Sequence, residues 1–353
     1  MTKVRALVVD DSALIRQLIT SVLSDDPEIE VVGAAPDPYA ARDMIKELNP
    51  DVITLDVEMP HMDGLTFLKN IMRLRPMPVV MISTLTQAGA EVTLEALETG
   101  AVDFIAKPTT NIANGLAELA SELIAKVKNA ARTKVRQTRA VPATPRRSPL
   151  ARATGKFIII GSSTGGVEAL KVVLMGMPAD APPILITQHM PPRFTASFAQ
   201  RLDRECAMSI CEATHNQPIE NGHVYIAPGS HHLELMRDGT GLVCSLNDSA
   251  PVSGHRPSVD VLFRSAARTV GTRAVGAILT GMGKDGAEGM LEMRKAGAIT
   301  IGQDEASSLV YGMPRVAFER GAVMRQCALD HMAEAILEAC LSDAKASAGK
   351  AYA

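Results

Sequence analysis

One repeated unit constrains this chain more than any other feature. A short run of apolar, mostly β-branched residues ends in a tight turn, and a helical pattern follows. The sharpest instance is Phe157-Ile158-Ile159-Ile160-Gly161, which runs into Ser162-Ser163-Thr164-Gly165-Gly166. Val167, Leu170, Leu174 and Met177 then share one helical face. In the first third of the chain the strand-like runs are Val4–Val9, Ile29–Gly33, Val52–Leu55, Val79–Ile82 and Val102–Ile105. Helical patterns separate them, as in Ser12–Leu23, where Leu14, Leu18 and Leu23 recur near helical spacing. Residues 111–130 read as the last helix of this part. Five strands alternating with helices predict a five-stranded parallel, doubly wound sheet.

Between Lys128 and Lys156 the composition changes: nine basic residues, no acid, and Pro142, Pro145 and Pro149. This reads as an exposed linker over 128–156. A second α/β part follows, over 157–342. Its strand candidates are Phe157–Gly161, Pro183–Gln188, Val224–Ala227, Leu233–Leu235, Leu242–Leu246, Ala274–Thr280 and Ala298–Gly302. The short strands within 222–247, bounded by Gly, Asn and Asp, suggest a hairpin excursion. The small and polar segment 343–353 reads as a disordered tail. At 353 residues, two domains are expected, the first over 1–127.

Net charge is −3 and Trp is absent, so neither a nucleic-acid surface nor an aromatic stacking platform is expected. The five cysteines are scattered without a C-x-x-C pair, which points to reduced thiols in the cytoplasm and no zinc site. No 18-residue apolar stretch exists, and a signal peptide or membrane insertion is not expected.

In open parallel sheets, ligands bind beyond the carboxyl ends of the strands. In the first domain those ends carry Asp10 and Asp11, Asp56, Ser83 or Thr84, and Lys107 before Pro108. Gathered carboxylates repel one another unless a cation intervenes, and oxygen ligands suit Mg²⁺, which also binds phosphoryl oxygens. A carboxylate can attack phosphorus. Lys107 and a hydroxyl could then hold the new phosphate oxygens. The competing reading makes Asp10 and Asp11 helix N-caps and Lys107 a solvated cation. The motifs Val-Val-Asp10-Asp11-Ser, Leu-Asp56-Val-Glu-Met-Pro and Lys107-Pro108 resemble the receiver domain of bacterial two-component response regulators. That resemblance implies Asp56 as phospho-acceptor, and Asp10, Asp11 and the Glu58 backbone carbonyl as further Mg²⁺ ligands. It also implies a switch hydroxyl, Ser83 before Thr84, and a switch aromatic, Phe104, which could equally be ordinary packing.

The second domain offers a different set. Ser163 follows one strand, His189 another, and Asp285 stands in Gly281-Met282-Gly283-Lys284-Asp285-Gly286 after a third. A serine hydroxyl needs a base, and the base an orienting carboxylate. Ser162 competes with Ser163, and His231, His232 and His255 with His189; Asp285 could merely cap a helix. The glycine-rich loop offers N–H groups for an oxyanion. The motifs Ile-Gly-Ser-Ser163-Thr-Gly-Gly, Thr-Gln-His189-Met-Pro-Pro, His255-Arg-Pro-Ser-Val-Asp260 and Leu-Thr-Gly-Met-Gly-Lys-Asp285-Gly resemble the chemotaxis protein-glutamate methylesterase/glutamine deamidase (CheB) family. Relatives often have alanine where Ser162 stands. The resemblance implies Ser163 as nucleophile, His189 as base, Asp285 as its orienter, the Met282 N–H as oxyanion donor and Thr164 beside the nucleophile. It implies no cofactor in the hydrolase site. It also implies methyl-accepting chemoreceptors as substrate, a chemotaxis histidine kinase as phosphoryl donor, and a receiver that shields the esterase cleft until phosphorylated. Two rivals remain at this level: a response regulator with a DNA- or protein-binding output, and the same hydrolase acting on a non-chemotactic protein.

Overall fold

A computed structural model of the chain describes residues 2–107, 112–133, 155–239 and 241–342. Most of the basic linker, Pro108 and the segment 343–353 lie outside the described residues. The chain divides into two compact units, Met1–Ala140 and Val141–Ala353.

The first unit alternates as expected. Its elements are β1 (Val4–Val9), α1 (Ala13–Ser24), β2 (Ile29–Ala35), α2 (Pro38–Leu48), β3 (Val52–Asp56), α3 (Gly64–Leu74), β4 (Val79–Ser83), α4 (Gln87–Thr99), β5 (Asp103–Ala106) and α5 (Ile112–Arg132). The strands form one parallel sheet in the order β2-β1-β3-β4-β5. Short polar side chains start its helices, as where Asp37 accepts from Tyr39 and Ala40 N–H and Asp63 from Thr66 N–H.

Two details depart from the sequence reading. On α1 the buried stripe is Ile19, Val22 and Leu23, while Leu14 is 68% exposed. The face is therefore rotated from the Leu14–Leu18–Leu23 register, because β-branched Ile19 and Val22 take the core side. Helix α5 runs to Arg132, past Lys128 where the linker was expected to begin, because Leu123, Val127 and Ala130 keep helical spacing and are buried.

The second unit contains β6 (Phe157–Ser162), α6 (Gly166–Met175), β7 (Ile184–Gln188), α7 (Phe194–Glu205), β8 (Ser209–Glu212), β9 (Gln217–Pro218), β10 (His223–Ile226), β11 (His232–Asp238) and β12 (Gly241–Asn247). It continues with α8 (Val259–Thr269), β13 (Ala274–Ile278), α9 (Ala287–Lys295), β14 (Ile299–Gln303), α10 (Met313–Glu319), β15 (Arg325–Cys327) and α11 (Met332–Leu341). Seven strands make a sheet in the order β15-β14-β13-β6-β7-β10-β8, and every pairing in it is parallel. A smaller antiparallel sheet holds β11, β12 and β9.

The expected hairpin is thus β11–β12. The strand at 224–227 belongs instead to the main sheet, where Val224, Tyr225 and Ile226 are buried. Sequence patterning missed β8, β15 and the two-residue β9. β8 and β15 are edge strands with a single buried residue each, Ile210 and Cys327, so neither carries an apolar run.

The order matters for chemistry. The chain leaves β6 toward β7 on one side and returns to β13 on the other, so the strand order reverses at β6. Strand ends at such a reversal open a crevice.

Candidate functional site

In the first unit, Asp10 follows β1, Asp56 ends β3, and one carboxylate oxygen from each of Asp10, Asp11 and Asp56 lies within 4.8 Å of the others. Asp10 and Asp56 are buried. Helix α1 takes its cap from Ser12, whose hydroxyl accepts from Ile15 N–H, so the acids do not serve as that helix's N-cap. Asp10 Oδ1 accepts from Ser12 N–H at 2.9 Å instead.

Lys107 is no solvated cation. Its Nζ donates to Asp56 Oδ2 at 2.7 Å and lies 3.1 Å from Asp10 Oδ2. Its backbone N–H donates to Ser83 O at 2.6 Å, which ties the ends of β4 and β5 together. Burial pushes the Asp56 carboxyl up to about 6, with the charge of Asp10 adding and Lys107 opposing. For Lys107, burial works against the charge, but Asp56 and Asp10 outweigh it and raise the pKa above the ordinary lysine value. Two buried carboxylates and one exposed one face the Lys107 ammonium, while the Arg16 guanidinium donates to the backbone carbonyls of Asp10 and Asp11 at 2.8 and 3.2 Å, so the pocket is built around carboxylate oxygens. Its hard oxygen donors fit a small divalent cation.

Ser83 and Thr84 are placed differently. Ser83 is fully buried; its hydroxyl lies 3.3 Å from Gly89 O and accepts from Thr93 Oγ1 at 2.7 Å. Thr84 is partly exposed and donates to Glu58 Oε1 at 3.2 Å. Phe104 is 5% exposed, with Lys126 Nζ 5.2 Å from its ring centroid. Gly64 was not singled out in the sequence. A Cβ there would fall 1.9 Å from Asp56 O, so only glycine lets α3 close on the strand end.

In the second unit, β13, β6 and β7 are neighbours, and the three candidate residues leave their carboxyl ends. Ser162 pairs with Gln188 across β6 and β7, so Ser163 and His189 step off adjacent strands together. Ser163 N–H donates to Thr280 O at 3.1 Å, and His189 N–H to Ser162 O at 3.2 Å. His189 Nε2 lies 2.8 Å from Asp285 Oδ2. Its Nδ1 is buried with no hydrogen-bond partner, so the imidazole is not bonded to Ser163 in this state.

Asp285 is 1% exposed, and its carboxylate collects three further donors. Val259 N–H reaches Oδ2 at 2.7 Å; the Ser258 hydroxyl and Asp260 N–H reach Oδ1 at 2.9 and 3.2 Å. Burial opposes its ionisation. The bond and charge of His189, then Val259 N–H and Ser258, outweigh that and hold its pKa below the ordinary carboxylate value. Asp285 does cap a helix, but α8 rather than the α9 that follows it in sequence.

The competing histidines sit elsewhere in this network. His255 stacks on His189 with ring centroids 3.8 Å apart and 13° between planes. His232 is buried, with Nδ1 accepting from Ser258 N–H at 3.1 Å and Nε2 3.2 Å from Ala250 O. His231 Nδ1 lies 2.8 Å from Ser230 Oγ. Ser162 is fully buried and donates to Gln188 Oε1 at 2.6 Å. Gln188 Nε2 in turn donates to Ser163 O at 2.9 Å and His189 O at 3.2 Å. The extra hydroxyl therefore braces the two strand ends from beneath.

The loop carrying Met282 is clamped from one side. Gly281 N–H donates to Val310 O, and Gly281 O accepts from Gly312 and Met313 N–H at 3.2 and 2.8 Å. A Cβ on Gly281 would lie 2.9 Å from Ser163 Cβ, and one on Gly312 2.6 Å from Gly281 O, so both glycines are close-approach positions. Thr164 is buried, and its carbonyl accepts from Thr280 Oγ1 at 3.0 Å. Gln188, Ser258, Asp260 and His232 were not legible as partners of the site. The contacts that join them to Ser162, Ser163, Asp285 and one another span 25 to 27 residues, and only the tertiary fold brings them together.

Known proteins resemble both units. A family model described as CheB methylesterase matches residues 158–336, and one described as response regulator receiver domain matches 6–117. The protein-glutamate methylesterase/protein-glutamine glutaminase 1 of Caulobacter vibrioides is 59% identical over 343 residues, 96% of this chain and 98% of that protein. That of Dechloromonas aromatica is 55% identical over 344 residues, 96% of this chain and 98% of that protein. The crystal structure of the Thermotoga maritima CheB methylesterase catalytic domain superposes with a TM-score of 0.51 at 36% identity, covering 52% of this chain and 98% of that one.

Proposed function

This chain belongs to the CheB methylesterase family, with a response-regulator receiver ahead of the hydrolase, and from that premise we propose a phosphorylation-regulated serine hydrolase of chemoreceptors. It removes methyl esters from glutamyl side chains and deamidates glutamines. The observation that carries the reading is the 2.8 Å contact of His189 with Asp285, beside a buried and unpartnered Nδ1 at the strand end next to Ser163.

The carboxylate of Asp285 fixes the proton on Nε2 and leaves the Nδ1 lone pair as base. Ser163 Oγ attacks the ester carbonyl carbon while Nδ1 takes its proton. The oxyanion forms against the Met282 N–H, held in place by the Gly281–Gly312 clamp. His189 then protonates the departing methoxide, and methanol leaves. Water, activated by the same imidazole, attacks the acyl-enzyme and releases glutamate and Ser163. With glutamine the leaving group is ammonia. Apo hydroxyl–imidazole geometry is often loose and tightens with substrate.

Regulation enters through Asp56. Asp10, Asp11, Asp56 and the Glu58 carbonyl would hold Mg²⁺, which would supply positive charge to offset that of a phosphoryl group. The donor is a histidine kinase of the chemosensory system, and Lys107 receives the phosphoryl oxygens. Ser83 is the switch hydroxyl: it lies at the end of β4, beside β5 and Lys107, and must exchange its contacts with Gly89 and Thr93 for the phosphoryl group. Thr84 is held by Glu58. We place the linker within residues 133–156 and the hydrolase over 157–342, in the cytoplasm. No helix among the described residues is long and apolar enough to cross a membrane.

The raised pKa of Asp56 ties the stability of the receiver to pH. Between about pH 4 and 6 the folded receiver holds a proton that the unfolded chain has lost. Its stability therefore falls as pH rises through that window, and a bound cation restores it above pH 6. Calorimetric scans are expected to show a larger Mg²⁺-induced rise in Tm at pH 8 than at pH 5. An equal rise at both values would refute the site.

The direct test is methanol release from methylated chemoreceptor membranes, with and without Mg²⁺ plus acetyl phosphate. Release is expected to rise with the donor in the native protein and to lose that rise in Asp56→Asn. No release under either condition would move the hydrolase to another substrate.

A further inference from the structure

Helices α8 and α9 are capped in an unusual way. The residue before α8 is Ser258, which makes no cap bond to its own helix because its hydroxyl is given to Asp285. The residue before α9 is Gly286, which has no side chain to cap with. Each helix instead takes its cap from a carboxylate belonging to the other. Asp285, just ahead of α9, accepts the first N–H groups of α8 from Val259 and Asp260. Asp260, in the first turn of α8, accepts Gly289 N–H of α9 at 2.7 Å.

The two helix starts are pressed together at this point. A Cβ on Gly289 would lie 2.8 Å from Asp260 O and 2.7 Å from Phe263 Cβ. Asp260 is 3% exposed, and Ser253 Oγ approaches its carboxylate at 3.5 Å. Burial raises its pKa, the neighbouring Asp285 charge adds to this, and the Gly289 N–H and Arg264 oppose it. Keeping two carboxylates buried side by side is costly. The positive N-terminal ends of both helices offset that cost, each facing the other's carboxylate.

We propose that Asp260 is a positioning residue for the hydrolase reaction: by capping α9 it holds the Gly281–Gly286 loop against α8, and so keeps Asp285 aimed at His189. Asp260 does not touch His189, and the role is mechanical. Loss of its carboxylate frees the start of α9, and Asp285 and Met282 move with that loop. A shift of about 1 Å at such a distance can cost about 100-fold in rate. This inference rests on the triad reading above.

The test uses the full chain with acetyl phosphate and methylated receptor membranes, alongside the rate at which a fluorophosphonate probe labels Ser163. Asp260→Ala is expected to lower kcat and the labelling rate together by about 10- to 100-fold, with KM within twofold. Asp260→Asn keeps an oxygen for Gly289 N–H and is expected to recover most of the rate. Where the alanine variant does not fold, Asp260→Glu decides, since its longer arm misplaces the acceptor. It should show the same loss of kcat at unchanged KM. Wild-type kcat and labelling in a folded Asp260→Ala or Asp260→Glu protein would overturn the inference alone. A native protein that neither releases methanol nor labels at Ser163 would overturn the triad reading, and the inference with it.

Discussion

Replacing Ser163 with alanine is expected to lower donor-stimulated methanol release by about 10⁶-fold, because members of a triad act as a unit and loss of the nucleophile removes covalent catalysis altogether. The fold should be untouched. Ser163 is held through its backbone, by Thr280 O, Gly166 N–H and Gln188 Nε2, and alanine keeps all three contacts. The neighbouring Ser162 cannot substitute, since its hydroxyl is buried and committed to Gln188. Receiver chemistry should also survive, so phosphoryl uptake at Asp56 serves as an internal check on folding. Methanol release by Ser163→Ala within tenfold of the native rate would sink the nucleophile assignment.

Asp285→Asn should combine a large loss of rate with a loss of stability, and the two have separate causes. Asparagine at the orienting position stabilises the wrong imidazole tautomer, an effect of about 10⁴-fold in kcat in a comparable triad. Stability falls because four donors converge on this carboxylate: His189 Nε2, Val259 N–H, the Ser258 hydroxyl and Asp260 N–H. An amide offers one acceptor oxygen and turns its NH₂ toward groups that are themselves donors. Leaving buried N–H groups unpaired costs about 1–3 kcal/mol each. A solvent-exposed orienting carboxylate would lose rate alone. Thermal unfolding and kcat measured on the same preparation decide between these cases, and an unchanged Tm would contradict the buried network.

Much of the architecture was legible because local chemistry repeats. Strands such as Ile158-Ile159-Ile160 are apolar on both faces, as a covered parallel sheet requires, and turn residues mark their ends. Asp56 and Lys107 stood out because each follows such a run. The errors have a common source. Leu14 fits a helical spacing yet faces out, since periodicity gives the width of an apolar face but not which neighbouring stripe meets the sheet. The edge strands β8 and β15 carry too little apolar signal to be distinguished from loop.

The two α/β units, the strand ends and the identity of the groups placed there can be read from local stretches of chain. Hydrophobic period and turn chemistry are short-range properties, so one chain segment suffices to read them. Which of those groups meet depends on how the strands are ordered and the helices packed. Seating β6 between β7 and β13 sets Ser163 beside His189 and brings Asp285 within 2.8 Å of it. It also gave Asp285 to α8 rather than α9, and set Ser162 under Gln188 instead of in the cleft. Those choices depend on which strands pair and on how two helix starts are packed. They are settled by burial and by the need to pair every buried donor, across separations of 25 residues and more.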